Sequence, residues 1–177
     1  MQLYEFGPTR SIRARWTLQE LGVDFEPVTV HLLKGEHHRP EFLAINPAAK
    51  IPVLVDGDQV ITETVAIALY LAEKYPDRGL IPTGRAERGE FHRWLMFVVT
   101  EIEGPLWRIA RNTRLYPEDE RLPADVVIAS REVKEMAAIL ERHMQGRPYR
   151  LLAYLERMYA RPKAPMRIAA AFASIAA

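Results

Sequence analysis

IPVLVDGDQVITETVAIALYLAEKY, residues 51–75, changes its hydrophobic period once, and that change decides the fold. Up to Ile61 two β-branched runs flank the Asp56-Gly57 pair, the pattern of a β-hairpin closed by a tight turn. Beyond it TETVAIALYLAEKY reads as a helix, with Thr62 or Thr64 available as a cap and Pro76 as its terminator. Working back from this unit, GEHHRPEFLAINP (residues 35–47) reads as a loop with a short helix, and FEPVTVHL (residues 25–32) as a strand. Ile12, Trp16, Leu18 and Leu21 follow a helical pattern from Ser11, and Gly22 stands where a left-handed C-terminal cap belongs. Before that helix lie a loop, FGPTRS (residues 6–11), and a strand from Met1 to Glu5.

The order is therefore β-α-β followed by β-β-α, and a strand-helix-strand unit implies a parallel pair with a right-handed crossover. This is the order of a thioredoxin-like domain, expected over residues 1–77. Past the linker DRGLIPTG (residues 77–84) the texture becomes helical throughout. Residues 86–116 form one long amphipathic stretch, and residues 124–144 form another between Pro123 and Gly146. LLAYLERMYARP (residues 151–162) reads as a shorter helix ending at Pro162, followed by a small apolar tail, IAAAFASIAA. The fold class expected is thus α/β thioredoxin-like at the N-terminal side, with an all-α domain over residues 84–177.

Composition narrows the chemistry. Lys and Arg total 24 against 23 Asp and Glu. So even a balance gives no broad field to steer nucleic acid or an anionic membrane, and neither partner is expected. No apolar run approaches the roughly 20 residues that span a bilayer, and MQLYEF lacks the charged and apolar regions of a secretory signal, so a cytoplasmic protein is expected. The chain has no cysteine. Disulfides, thiolate metal sites, Cys nucleophiles and CxxC redox chemistry all require a protein sulfur, so any thiol chemistry must use a borrowed thiol. The histidines show no ligand spacing, and no metal is expected.

Several residues carry chemical promise on their own. Pro52, between β-branched residues, removes a ladder donor and fits a cis bond at the start of a strand as well as an ordinary strand-start proline. Glu63 and Thr64 open a helix, where free backbone amides favour a carboxylate while the acidic side chain can take an ammonium group; a plain cap is the alternative. FGPTRS brings the hydroxyls of Thr9 and Ser11 to a helix N-terminus, where they favour an anion, and Arg10 and Arg13 add positive potential. Ser11 serves equally well as a helix cap, and the arginines as solvent-facing side chains.

NPAAKIPVL (residues 46–54) followed by ITETVAIALYL (residues 61–71) resembles the glutathione-binding half of the cytosolic glutathione S-transferase family, in its bacterial, Ser/Thr-type rather than Cys-type form. WLMF (residues 94–97) and AYLERMYARPKAP (residues 153–165) are similar to that family's helical half, in the same order. The resemblance implies an enzyme that binds glutathione as co-substrate, ionises its thiol and adds the thiolate to a small hydrophobic electrophile, a detoxifying activity. Carried over residue by residue, it assigns the backbone of Ile51, next to Pro52, to the cysteinyl part of glutathione, as an added strand. Glu63 and Thr64 receive the γ-glutamyl end, and Lys50 and His38, beside His37, approach the glycyl carboxylate. For the thiol the order of preference is Ser11, then Thr9, then Tyr4: one branch of the family uses a tyrosine at the end of the first strand, but many bacterial members keep one there without using it.

An aromatic-walled acceptor pocket is expected on the first long helix among Trp94, Phe97, Glu101, Trp107, Arg108 and Arg111, with Trp107 and Arg108 as substrate contacts. The family implies a homodimer. One feature departs from it: a segment with a buried capped helix is expected between Tyr149 and Arg150. Either the protein lacks it, exposing core that another chain must cover, or a stretch has been closed up at that junction, the reading preferred because a bare core patch is an aggregation liability. The alternatives to a transferase are a non-catalytic interaction module of the same fold, and a glutathione-dependent isomerase or dehalogenase using the same thiolate.

Overall fold

The strands and helices nearest the N terminus assemble much as their periods dictate. In the computed structural model residues 1–145 and Ala160 are described. The expected helix at 151–162, apart from Ala160, the tail at 168–177 and the junction at 149–150 lie outside the described residues. The chain divides into two compact units, the first containing Met1–Ile81 and the second beginning at Pro82.

In the first unit β1 (Gln2–Glu5), β2 (Glu26–Thr29), β3 (Val53–Asp56) and β4 (Gln59–Ile61) form a four-stranded sheet in the order β2-β1-β3-β4. β1 and β2 run parallel, with Gln2 opposite Glu26, while β1–β3 and β3–β4 are antiparallel. The crossover between β1 and β2 is α1 (Ser11–Leu21), and α3 (Thr64–Lys74) follows β4. Between β2 and β3 lie two 3-10 turns and the short α2 (Pro40–Leu43). β2 stops at Thr29, short of the expected Leu32, because Leu32 already belongs to the first of those turns. Gly57, at φ +60, takes the first central position of the β3–β4 turn, so the turn residues are Gly57 and Asp58 rather than Asp56 and Gly57.

Alternation along the strands gives the sheet two apolar faces. Leu3 and Leu54 point to one side and are buried with Ala14, Leu18, Ile67 and Leu71 of α1 and α3. Val53 points to the other and packs with Val30 and Phe42, bordered by Tyr4 and Ile51. The buried stripe of α1 is Ser11, Ala14, Leu18 and Leu21, so the expected Ile12 and Trp16 are only half-buried; small residues take the close approach to the sheet. α1 ends as expected, with Gly22 left-handed at φ 66 and Val23 N–H donating to the Leu18 carbonyl, a Schellman arrangement. Glu5, 7% exposed, is paired on both carboxylate oxygens by Arg15 of α1, which ties that helix to the end of β1.

In the second unit one helical path runs from α4 (Arg85–Phe97) through a π segment (Val98–Glu103) into α5 (Gly104–Ala110) and a second π segment (Arg111–Leu115). Pro105 explains the first widening, since its ring cannot donate and would meet the carbonyl one turn earlier. α6 (Pro123–Met144) begins on Pro123 itself, one residue before the expected 124. It is joined to α5 by Arg108, which donates to Asp125 and, at 2.6 Å, to Glu132. Asn112, 8% exposed, completes this joint by donating to the Arg108 carbonyl and to Asp125, and by accepting the Leu122 N–H, each at 3.0 Å.

Candidate active site

Strand direction gathers most of the sequence-derived candidates at one end of the sheet. β1 leads into residues 6–10, β4 leads into Glu63 and Thr64, and β3, running the opposite way, starts just after Pro52. The β1–β3 pairing begins at Tyr4↔Val53, so one and two further steps set Glu5 beside Pro52 and Phe6 beside Ile51. The β3–β4 pairing, continued from Leu54↔Ile61, sets Pro52 beside Glu63. β2 ends at the same side, and from it the chain enters the turns that carry His37 and His38.

The Ile51–Pro52 peptide bond is cis, as is Gly7–Pro8 in the first loop. Pro52 is buried and Ile51 half-buried, both just outside the ladder. The approach to them is held by a residue that carried no weight in the sequence reading, Asn46. Its side chain, 5% exposed, donates to the Lys50 carbonyl at 2.7 Å and accepts the Ala48 N–H at 3.1 Å. Ala49 within that turn is left-handed, at φ 54. An Asn-Pro pair is a recognised turn initiator, and that was the available signal. Lys50 is exposed.

Glu63 has φ 64 and ψ 121, a conformation that only glycine adopts at little cost. It occupies the N-cap of α3 with no side-chain cap, so neither Thr62 nor Thr64 fills the role expected of it. The Glu63 carbonyl accepts the Ile67 N–H at 2.9 Å, which leaves the amides of the first turn of α3 without helical acceptors. An exposed carboxylate on a strained backbone, next to free amides, is suited to a ligand carrying both an ammonium and a carboxylate.

The first loop contains a closed hydroxyl network. Thr9 Oγ1 donates to the Phe6 carbonyl at 2.5 Å and accepts the Ser11 N–H at 3.2 Å. The Ser11 hydroxyl lies 2.9 Å from Thr9 Oγ1 and accepts the Phe6 N–H at 3.4 Å. Ser11 is 1% exposed, whereas Thr9 is half-buried. α1 therefore starts without a side-chain cap at Arg10, the Thr9 oxygen holding the Ser11 amide instead. Tyr4 points elsewhere: its hydroxyl donates to Gln2 Oε1 at 3.4 Å, back along β1 and away from this loop, and its ring lies 6.2 Å from that of Phe42.

The His37 and His38 rings lie with centroids 4.0 Å apart, tilted at 43° to one another. Burial, reinforced by the neighbouring His38, depresses the His37 pKa, and its buried Nδ1 has no hydrogen-bond partner among the described residues. His38 is exposed. Glu36 organises the turn, accepting the His31 N–H at 2.8 Å; that bond, with Arg39 nearby, lowers its pKa.

The second unit arranges its aromatic residues differently from expectation. Trp94 stacks on His143 at 3.8 Å and meets Phe97 edge-on at 5.2 Å. It lines a cavity of about 480 Å³ with Glu90, Phe91 and His143. Trp107, 40% exposed, lies on α5 and not in that cavity. Arg108 gives its guanidinium to Asp125 and Glu132 across the α5–α6 joint, and the bond to Asp125 raises its pKa. Arg111 lies 5.7 Å from the Tyr116 ring centre. Among the described residues no cluster of three or more His, Asp or Glu could hold a metal ion, and no helix is long and apolar enough to cross a membrane.

Comparison with known proteins agrees with this architecture. Residues 1–73 match the family description "Glutathione S-transferase, N-terminal domain". The chain is 43% identical over 133 residues to Glutathione S-transferase F10 of Arabidopsis thaliana, covering 74% of this chain and 61% of that protein. It is 33% identical over 156 residues to Glutathione S-transferase F9 of the same plant, covering 84% of this chain and 72% of that one. The structure of a glutathione transferase from Burkholderia graminis, with two glutathione molecules bound per subunit, superimposes with a TM-score of 0.82 at 22% identity, over 92% of this chain and 85% of that one. The chain belongs to the glutathione S-transferase family. It spans about three fifths of the F10 protein's length.

Proposed function

We propose that this chain is a glutathione transferase of the Ser/Thr type, binding glutathione with residues 1–77 and holding a small apolar electrophile with the helical domain of residues 84–177. The observation that carries the reading is the gathering of residues 6–11, 50–52 and 63–64 at one end of one sheet, with Glu63 held in a strained backbone. The plant relatives' names and the glutathione in the Burkholderia graminis structure support the same co-substrate.

In this reading the γ-glutamyl carboxylate takes the free amides at Thr64 and the start of α3, and its ammonium takes the Glu63 carboxylate. The cysteinyl backbone pairs beside Ile51 and Pro52 at the open end of β3, as a strand would. Lys50 and His38, both exposed, offer positive charge and donors to the glycyl carboxylate, and Arg10 adds positive potential at the first loop. Sulfur then lies against residues 6–11, where a hydroxyl of Thr9 or Ser11 donates to it and the N-terminal end of α1 favours its negative charge. Tyr4 stands last among the three hydroxyls, since its own points along β1.

The chemistry follows from the lowered thiol pKa. The sulfhydryl proton passes to solvent, the thiolate forms a carbon–sulfur bond with the electrophile, and the displaced group leaves with the electron pair of the bond that breaks. The exposed Trp107 indole offers apolar surface for such a substrate; Arg108, tied to α6, is left out of the assignment. As in the family, the chain acts in the cytoplasm as a homodimer. Retention on immobilised glutathione together with thiol-dependent conjugation of an aryl halide such as chlorodinitrobenzene is expected. Absence of both from well-folded protein refutes the proposal and leaves a non-catalytic module of the same fold.

A further inference from the structure

We infer that Ser11 is a positioning residue that acts on the glutathione sulfur only through Thr9; the inference rests on the proposed glutathione site. Ser11 is 1% exposed and its hydroxyl is enclosed within the loop, so it has no path of its own to a bound ligand. Thr9, half-buried two residues earlier, does reach the surface.

The proton count in the loop fixes the direction of the chain of hydroxyls. Each hydroxyl has one proton to give and two lone pairs to accept with. Thr9 gives its proton to the Phe6 carbonyl, and its oxygen already accepts the Ser11 N–H. The 2.9 Å contact between the two oxygens then has a single donor left, the Ser11 hydroxyl. Ser11 in turn accepts the Phe6 N–H at 3.4 Å. The loop backbone thus polarises Ser11, and Ser11 polarises Thr9.

When an anion arrives at the surface of the loop, Thr9 needs only to rotate its proton from the Phe6 carbonyl to the sulfur. Rotation about Cβ–Oγ turns the lone pairs with the proton, so Thr9 gives up the Phe6 carbonyl and the Ser11 N–H, while the Ser11 hydroxyl, which can itself rotate, keeps its bond to the Thr9 oxygen. Donation from Ser11 also makes the Thr9 proton more acidic, because hydrogen bonds in series strengthen one another. Thr9 is then the residue that touches sulfur.

The test is a thiolate titration of bound glutathione, read by ultraviolet absorbance across pH, on the full chain and on Thr9→Ala, Ser11→Ala, Ser11→Thr and the Thr9→Ala/Ser11→Ala double variant. A hydrogen bond to a charged group is of a size that moves a pKa by about 1–2 units, the shift expected for Thr9→Ala. Loss of the relay alone is a fraction of that, so Ser11→Ala is expected to raise the thiol pKa by roughly half a unit. In the Thr9→Ala background Ser11→Ala is expected to add nothing, whereas Ser11→Thr in the otherwise wild-type chain, which keeps the hydroxyl, is expected to titrate as wild type. Glutathione affinity, read by calorimetry, is expected to stay within about twofold for Ser11→Ala, because the thiol is one contact among several.

A Ser11→Ala shift as large as that of Thr9→Ala, and persisting without Thr9, overturns the relay and makes Ser11 the direct partner. No shift at all overturns it too, and leaves Ser11 as a structural hydroxyl. Failure of the wild type to bind glutathione is a separate outcome that removes the underlying site.

Discussion

Glu63 gives the sharpest forecast, because its backbone and its side chain are expected to pull in opposite directions. At φ 64 and ψ 121 a residue with a Cβ carries about 1–3 kcal/mol of conformational cost. Glu63→Gly removes that cost but loosens the unfolded chain, at about 0.5–1 kcal/mol. The net is a stabilisation of roughly 1 kcal/mol, which for a chain of this size raises Tm by about 2–4 °C. The side chain is exposed, so deleting it takes little packing away.

Binding moves the other way. A charge-assisted contact between the Glu63 carboxylate and an ammonium is a matter of about 1.5–3 kcal/mol, and its loss weakens glutathione by about 10- to 150-fold. Glu63→Ala is the control, since it deletes the same carboxylate while keeping the strain. It is expected to bind as weakly as Glu63→Gly and to melt below it. Urea unfolding and isothermal calorimetry on the three proteins measure both effects. An alanine variant more stable than the glycine one refutes the strain, and wild-type affinity in both variants refutes the ligand role.

Further expectations follow from the same structure. Asn112→Ala should cost about 1–3 kcal/mol of stability by opening the α5–α6 joint, seen as a lower Tm with unchanged glutathione affinity. Arg15→Ala should cost about 2–4 kcal/mol, since it strands the buried Glu5 carboxylate; a urea midpoint equal to wild type contradicts the pairing. The Asp56 pKa is lowered by its bonds to Lys74 and to Tyr70, the latter at 2.6 Å. A depressed carboxylate adds stability that is complete above its unfolded pKa, near 4, and is lost as pH falls through the folded value. Asp56→Asn should therefore flatten the acid limb of the stability profile and leave its shape between about pH 5 and 8 unchanged, as followed by thermal melts.

The hairpin and α3 were legible because their hydrophobic period changes at one place, between Ile61 and Thr64. The C-terminal cap of α1 was legible because Gly22 is the residue a left-handed cap requires. What escaped the sequence shares a cause: it depends on backbone angles or on partners distant along the chain. Glu63 is acidic in the sequence, but nothing there announces a positive φ, and the expected threonine caps are absent for that reason. Ala14 and Ser11 line the buried side of α1, and small or polar residues carry no hydrophobic signal, so Ile12 and Trp16 were favoured in their place. Ser11 looks available at a helix N-terminus in the sequence, and nothing there announces that its hydroxyl is enclosed in the loop beside Thr9. Arg108 looked available until α6 supplied Asp125 and Glu132 from 17 and 24 residues away.

The most direct measurement is the titration of glutathione into the intact chain, followed by the absorbance of the bound thiolate. The account predicts a saturable signal and a bound thiol that ionises at least about one pH unit below the free tripeptide, whose thiol titrates near the usual cysteine value of about 8.5. Folded protein that gives no saturable signal at millimolar glutathione, or a bound thiol that titrates like the free one, contradicts it.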